Sequence, residues 1–197
     1  MRSDVVVPSV RRAIHGVASA CLLALLFAAA DGCADPGPEV VVDVNSAKRE
    51  MRVVRGDKVL AVFNPVSVGR WGVTEQKERG DGRTPLGNYR IAWVKSTGSF
   101  GPFIGLDYPS LARAEKGLAS GEISQAEFHA IKSAHVEGRV PPQDTKLGGY
   151  IGIHGLGRGD PGIHRELNWT RGCIAVTNAQ MTQIMDLVVK GAMVRIR

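Results

Sequence analysis

The stretch from Tyr150 to Asn178 reads YIGIHGLGRGDPGIHRELNWTRGCIAVTN, and its two ends decide how the rest of the chain is read. Tyr150-Ile-Gly-Ile-His154 has the make-up of a short strand that closes on a histidine, and Cys173-Ile-Ala-Val176 that of a second strand opening on a cysteine. A thiol is a useful nucleophile only as thiolate, and an imidazole within hydrogen-bond reach supplies that form by taking the proton. Gly172 allows a tight turn before the cysteine, which makes the Gly172 and Cys173 N–H groups candidate oxyanion donors. Arg171 is a candidate cation for lowering the thiol's pKa. Each residue also has a plainer reading: Cys173 as a strand filler, His154 as a satisfied core histidine, Arg171 as a solvated loop cation. Separation along the chain does not choose between them.

Outward from this stretch the pattern is mostly β. Val40–Val44 reads as a strand, and Met51–Val54 and Val59–Phe63 flank a hairpin turn at Gly56-Asp57. Val66-Ser-Val68 extends that meander, 77–87 is a long loop, and Asn88–Val94 returns as a strand. From 109 to about 138 the residues are helix formers broken at Gly121, with the capping-box pattern Ser124-Gln-Ala-Glu127, so a two-helix insertion is expected there. It either packs on the sheet or covers a cleft as a lid. Thr177-Asn-Ala-Gln180 caps a further helix near the C-terminus, with Met181, Ile184, Met185, Val188 and Val189 as its apolar stripe, and Met193–Arg197 closes as a strand. The domain expected is therefore 40–197, mainly β, after a linker at 35–39.

The N-terminal segment belongs to something else. Arg2, Arg11 and Arg12 precede an apolar run from Val17 to Ala30, too short for a ~30 Å hydrocarbon core and ending in small residues, as a secretory signal does. Residues 1–34 are expected to be that signal, cleaved after Ala30 or Ala34, which makes the protein an exported one of the periplasm or cell envelope. Ala30-Asp-Gly-Cys33 also resembles a lipoprotein box, in which Cys33 would carry the lipid and supply the protein's one membrane attachment. Once Cys21 leaves with the signal, Cys173 has no partner within the domain, so it is either an apolar filler or a reactive thiol. The net charge of +6 is scattered without aromatic interleaving, which excludes a nucleic-acid groove as the expected partner surface. His154, His164 and Cys173 lack the close pairs of a structural zinc site, so no metal is expected.

Ile153-His-Gly155 followed by Trp169-Thr-Arg-Gly-Cys-Ile-Ala-Val-Thr-Asn178 resembles the signature of the L,D-transpeptidase catalytic domain family (YkuD-like). Within it, the chain is similar to the YafK-type murein branch. Asp81-Gly-Arg-Thr-Pro-Leu-Gly87 resembles the family's upstream turn into a strand. The resemblance implies a β-rich, sandwich-like catalytic domain that needs no cofactor. It also implies Cys173 as nucleophile, His154 as general base oriented by the Gly155 carbonyl, and Gly172 with Cys173 at the oxyanion. Thr170, Trp169, His164 and Arg171 are candidates for substrate contact, with structural support the other reading of His164 and Trp169. The substrate implied is a peptidoglycan stem peptide: an acyl-enzyme forms and passes to an amine acceptor, giving a 3→3 cross-link. Water as acceptor would make the same site a carboxypeptidase, or an amidase releasing a wall-attached lipoprotein. A wall-binding module with an inert Cys173 is the reading from another class. Arg171 stands where many members carry a second histidine, and Ala175 where many carry arginine, which leaves acceptor and substrate choice open.

Overall fold

The computed structural model describes residues 39–197; the expected signal and its expected cleavage sites, Cys33 and nearly all of the expected linker lie outside them. Valines at alternate positions make β1 (Val40–Asn45) a strand, with Val42 and Val44 fully buried on one face. β2 (Glu50–Arg55) and β3 (Lys58–Phe63) form the hairpin expected from Gly56, which turns with φ 56°. Short β4 (Val73–Thr74) and β5 (Thr84–Pro85) pair with each other. β6 (Gly87–Lys95) and β7 (Phe103–Leu106) follow, then α1 (Leu111–Ala119) and α2 (Gln125–Val136), the expected insertion. β8 (Gly152–His154), α3 (Pro161–Glu166), β9 (Ile174–Ala175), α4 (Asn178–Leu187) and β10 (Met193–Ile196) complete the chain.

The result is mostly β: one eight-stranded mixed sheet in the order β3-β2-β1-β10-β6-β7-β8-β9. The last strand, β10, inserts parallel to β1 and antiparallel to β6, so the chain's end ties the N-terminal hairpin to the half carrying β8 and β9. Its buried Val194 and Ile196 join Val42, Met51, Ile91, Ile104, Ile153, Ile174 and Ile184 in one apolar core. Each such side chain contributes roughly 1.5–3 kcal/mol by leaving water. No helix among the described residues is long and apolar enough to cross a membrane.

Three local expectations are corrected. Val66-Ser-Val68 does not prolong the meander; it crosses to the other end of the sheet, where Ser67 bridges Ala175. The α4 stripe ends with the helix at Leu187: Val188 caps it in extended geometry and Val189 is exposed, because the chain must already turn toward β10. Cys173 lies one residue before β9 rather than inside it.

The insertion has a small core of its own, Ala114, Ile123, Ile131 and Leu147, with Leu118 and Phe128 packed on it. Both caps are as the sequence implies: the Ser124 hydroxyl accepts from the Glu127 N–H and the Glu127 carboxylate accepts from the Ser124 N–H. The insertion grips the 77–87 loop from behind. Arg113 Nε donates to the Lys77 carbonyl at 3.1 Å, and the Tyr108 hydroxyl lies 3.3 Å from that oxygen and 2.8 Å from the Leu147 carbonyl.

Candidate active site

β8 and β9 run parallel with His154 opposite Ala175. Cys173, two residues before Ala175, continues that register on the face that carries His154, because side chains of a strand alternate. Cys173 thus stands diagonal to His154 across the β8–β9 pair.

The His154 ring is locked on all sides. Nδ1 lies 2.7 Å from the Gly155 carbonyl oxygen; a carbonyl only accepts, so Nδ1 carries the proton and Nε2 keeps the lone pair. Phe100 packs on the ring at 4.8 Å, Phe103 stacks at 6.4 Å and 14°, and Trp169 meets it edge-on at 5.8 Å and 72°. Burial among these rings pushes the imidazole's pKa below 6.5, with the Gly155 bond opposing, so His154 is a neutral base at pH 7. Gly155 has no room for a side chain, since a Cβ there would stand 2.6 Å from Asn178 Oδ1 and 3.0 Å from the Phe100 carbonyl.

Cys173 is half-buried, and its thiol donates to the Tyr150 carbonyl at 3.3 Å. Burial pushes the thiol's pKa up to about 11; the Gly152 N–H and the Lys77 ammonium oppose. The resting pair is thus neutral thiol and neutral imidazole. The expectation that Arg171 lowers the thiol's pKa is corrected: Arg171 is exposed, while Gly172, at φ 136°, turns the chain inward onto the 77–87 loop. The oxyanion expectation is corrected in part. The Gly172 N–H already donates to Thr170 Oγ1 at 3.1 Å, whereas the Cys173 N–H has no hydrogen-bond partner among the described residues. Thr170, nearly fully buried, also donates its hydroxyl to the Cys173 carbonyl at 2.7 Å, so it shapes the turn and does not face a substrate.

His164 is fully buried with both ring nitrogens taken: Nε2 donates to the Pro65 carbonyl at 3.0 Å, and Nδ1 accepts from Ser67 Oγ at 3.0 Å. The Trp169 indole N–H reaches the same Nδ1 at 3.4 Å. In this place His164 orients Trp169 against His154 and cannot touch a substrate. Arg49 fixes that corner by donating to the His164 carbonyl at 2.6 Å and the Arg165 carbonyl at 2.7 Å.

Four residues of the site escaped the sequence reading. Lys77 stood as one charge in a loop. Phe100 carried no pattern, and Tyr150, read as the start of a strand, lies two residues before β8 and reaches Cys173 through a left-handed backbone (φ 54°). Asn178 was visible as the last letter of the motif. Its amide oxygen accepts from the Leu156 and Gly157 N–H groups at 2.8 and 2.9 Å, and its NH₂ donates to the Gly157 carbonyl at 2.8 Å. It thereby holds the loop that follows His154.

Residues 39–196 match the model of the YkuD L,D-transpeptidase catalytic domain, which is almost the whole described chain. The chain belongs to the YkuD L,D-transpeptidase family. Among curated proteins none matches it. Among solved structures, the helical cell shape determining protein Pgp2 from Campylobacter jejuni superposes with a TM-score of 0.57 at 20% identity, covering 82% of this chain and 48% of that one. Bd1075 from Bdellovibrio bacteriovorus gives 0.53 at 17% identity, with the same two coverages. At these identities the likeness is one of fold. The chain spans about half the length of either structure, so the YkuD fold is what they share.

Proposed function

We propose that the protein is an exported peptidoglycan L,D-transpeptidase that uses Cys173 and His154. The observation that carries this reading is the His154 tautomer: with Nδ1–H bound to Gly155, Nε2 keeps the lone pair a base needs, on a residue diagonal to Cys173 across the β8–β9 pair. Family membership supports the substrate class, the stem peptides of the cell wall.

In the mechanism, the Cys173 thiol leaves the Tyr150 carbonyl and passes its proton to His154 Nε2 as sulfur attacks the carbonyl of the L,D-peptide bond after the third stem residue. The oxyanion is held by the Cys173 N–H, fixed by the Thr170 turn. The carbon–nitrogen bond breaks, His154 returns the proton to the departing amine of D-alanine, and a thioester remains. An amine of a neighbouring stem then attacks while His154 takes its proton. The thiol leaves protonated and a 3→3 cross-link is formed. Phe100, Phe103 and Trp169 exclude water from the imidazole, which favours the amine over hydrolysis.

The test is intact mass after incubation with a carbapenem, a strained acyl donor. One drug-sized adduct is expected, absent from Cys173→Ala. No adduct would refute the reading and favour the wall-binding module. Products from a tetrapeptide stem, with and without an added amine, then separate cross-linking from hydrolysis.

A further inference from the structure

Lys77 is a cation that the mechanism above leaves unused. Its side chain is 3% exposed, an unusual position for a lysine, and it lies in the 77–87 loop under the Cys173 turn. A Cβ built on Gly172 would stand 3.2 Å from Lys77 Cε and 2.8 Å from the Arg83 carbonyl, so this loop is packed directly against the residue before the nucleophile. The ammonium has three N–H donors. One donates to the Glu78 carbonyl at 3.0 Å and one to Asp81 Oδ1. The third has no acceptor among the described residues, and little water reaches it.

The groups around Lys77 make up for the water it has lost. Asp81 pairs with it and also accepts the Glu78 and Arg83 N–H groups at 3.0 and 2.9 Å, which share the carboxylate's charge with the loop backbone. Burial raises the Asp81 pKa, but these bonds outweigh it and hold the carboxyl below 3.8. From the insertion, Tyr108 and Arg113 touch only the Lys77 carbonyl, and Arg113 is neutralised by Glu122. On the remaining side stand Gly172 and Cys173.

We propose that Lys77 is a positioning residue for the nucleophile: its ammonium, anchored to Asp81 and packed on Gly172, supplies the positive charge that holds Cys173 as thiolate once its proton leaves. The proposal rests on the reading of Cys173 as nucleophile and names the group that compensates for the thiol's burial. The uncommitted N–H is the donor that the new negative charge would satisfy. Anchoring to Asp81 keeps the cation from folding out into solvent.

The test compares Lys77→Met, Lys77→Arg and the double variant Lys77→Met/Asp81→Asn, which leaves no unpaired buried charge. Iodoacetamide alkylation of the Cys173 peptide is followed between pH 7 and 9 in the full chain. Below the thiol's pKa the rate follows the thiolate fraction, so rate ratios read the change in pKa. A neighbouring opposite charge moves a pKa by about 1–3 pH units. Lys77→Met is therefore expected to be alkylated about tenfold or more slowly than wild type, the double variant likewise, and Lys77→Arg to recover most of the rate. Should Lys77→Met fail to fold, the double variant carries the same reading. A rate within about twofold of wild type in a cooperatively melting charge-free variant would overturn the proposal. The carbapenem adduct is read separately: its absence in wild type sinks the catalytic reading, whereas a Lys77-independent alkylation rate sinks only the role of Lys77.

Discussion

Thr170→Val keeps nearly the same shape and removes one hydroxyl beneath Cys173. That hydroxyl donates to the Cys173 carbonyl at 2.7 Å and accepts from the Gly172 N–H at 3.1 Å. The Cys173 carbonyl retains a long contact of 3.5 Å from Thr84 Oγ1, but the buried Gly172 N–H is left without an acceptor. A lost hydrogen bond costs about 1 kcal/mol and an orphaned buried donor about 1–3 kcal/mol, which makes the expected loss about 2–4 kcal/mol. For a domain of this size each kcal/mol is worth roughly 2–4 °C in Tm, so the variant should melt about 5–15 °C below wild type. Thr170→Ser, which keeps the hydroxyl, should lose far less. Calorimetry measures both, and carbapenem acylation followed by mass should slow by at least about tenfold as the turn loosens. Melting within about 2 °C of wild type would refute the bracing role. Faster acylation would show instead that the freed Gly172 N–H is a second oxyanion donor held back by Thr170.

Three further outcomes follow from the same geometry. Asn178→Ala releases the Leu156 and Gly157 amides from an exposed side chain; about 1–2 kcal/mol of stability should go, with faster hydrogen exchange at 156–157 and slower acylation. The pH dependence has a definite sign. His154 and His164 both titrate below 6.5 in the folded protein, so the unfolded chain takes the proton first: stability is full above about pH 6.5 and falls as pH drops through that range. Acylation should fall on the same side, as His154 protonates. With the thiol's pKa near 11, no thiolate absorbance at 240 nm assignable to Cys173 should appear at pH 7; a Cys173-dependent band there would show a resting thiolate–imidazolium pair instead.

The parts legible in the sequence were those governed by local chemistry. Alternating valines marked β1, Gly56 marked the hairpin, and the boxes at Ser124 and Thr177 marked α2 and α4. What stayed hidden depends on residues far apart in the chain. β7 was invisible because its segment is rich in Gly and Pro, and glycine weakens a strand signal. In the fold Gly105 makes room for an aromatic ring, since a Cβ there would lie 2.0 Å from Trp93, and on neighbouring β8 a Cβ on Gly152 would lie 2.4 Å from Phe103. Ser67 reads as a strand residue by its neighbours, yet it serves His164 across 97 positions. The site divides in the same way. Cys173 and His154 stand out because reactive residue types end two short strands. Lys77 and Phe100 arrive from loops whose paths only the assembled sheet determines. His164, between the two parts of the motif, and Thr170, within it, support the site from beneath.

The central claim is that Cys173 accepts an acyl group with His154 as its base. The most direct measurement is mass spectrometry of the protein mixed with a tetrapeptide stem and quenched within seconds, for wild type, Cys173→Ala and His154→Gln. The account predicts a thioester on Cys173 with release of D-alanine in wild type. It predicts none in Cys173→Ala, and formation slower by about 10²–10⁴ in His154→Gln. D-alanine released at the wild-type rate by a folded Cys173→Ala protein would contradict it, as would a His154→Gln protein that acylates as fast as wild type.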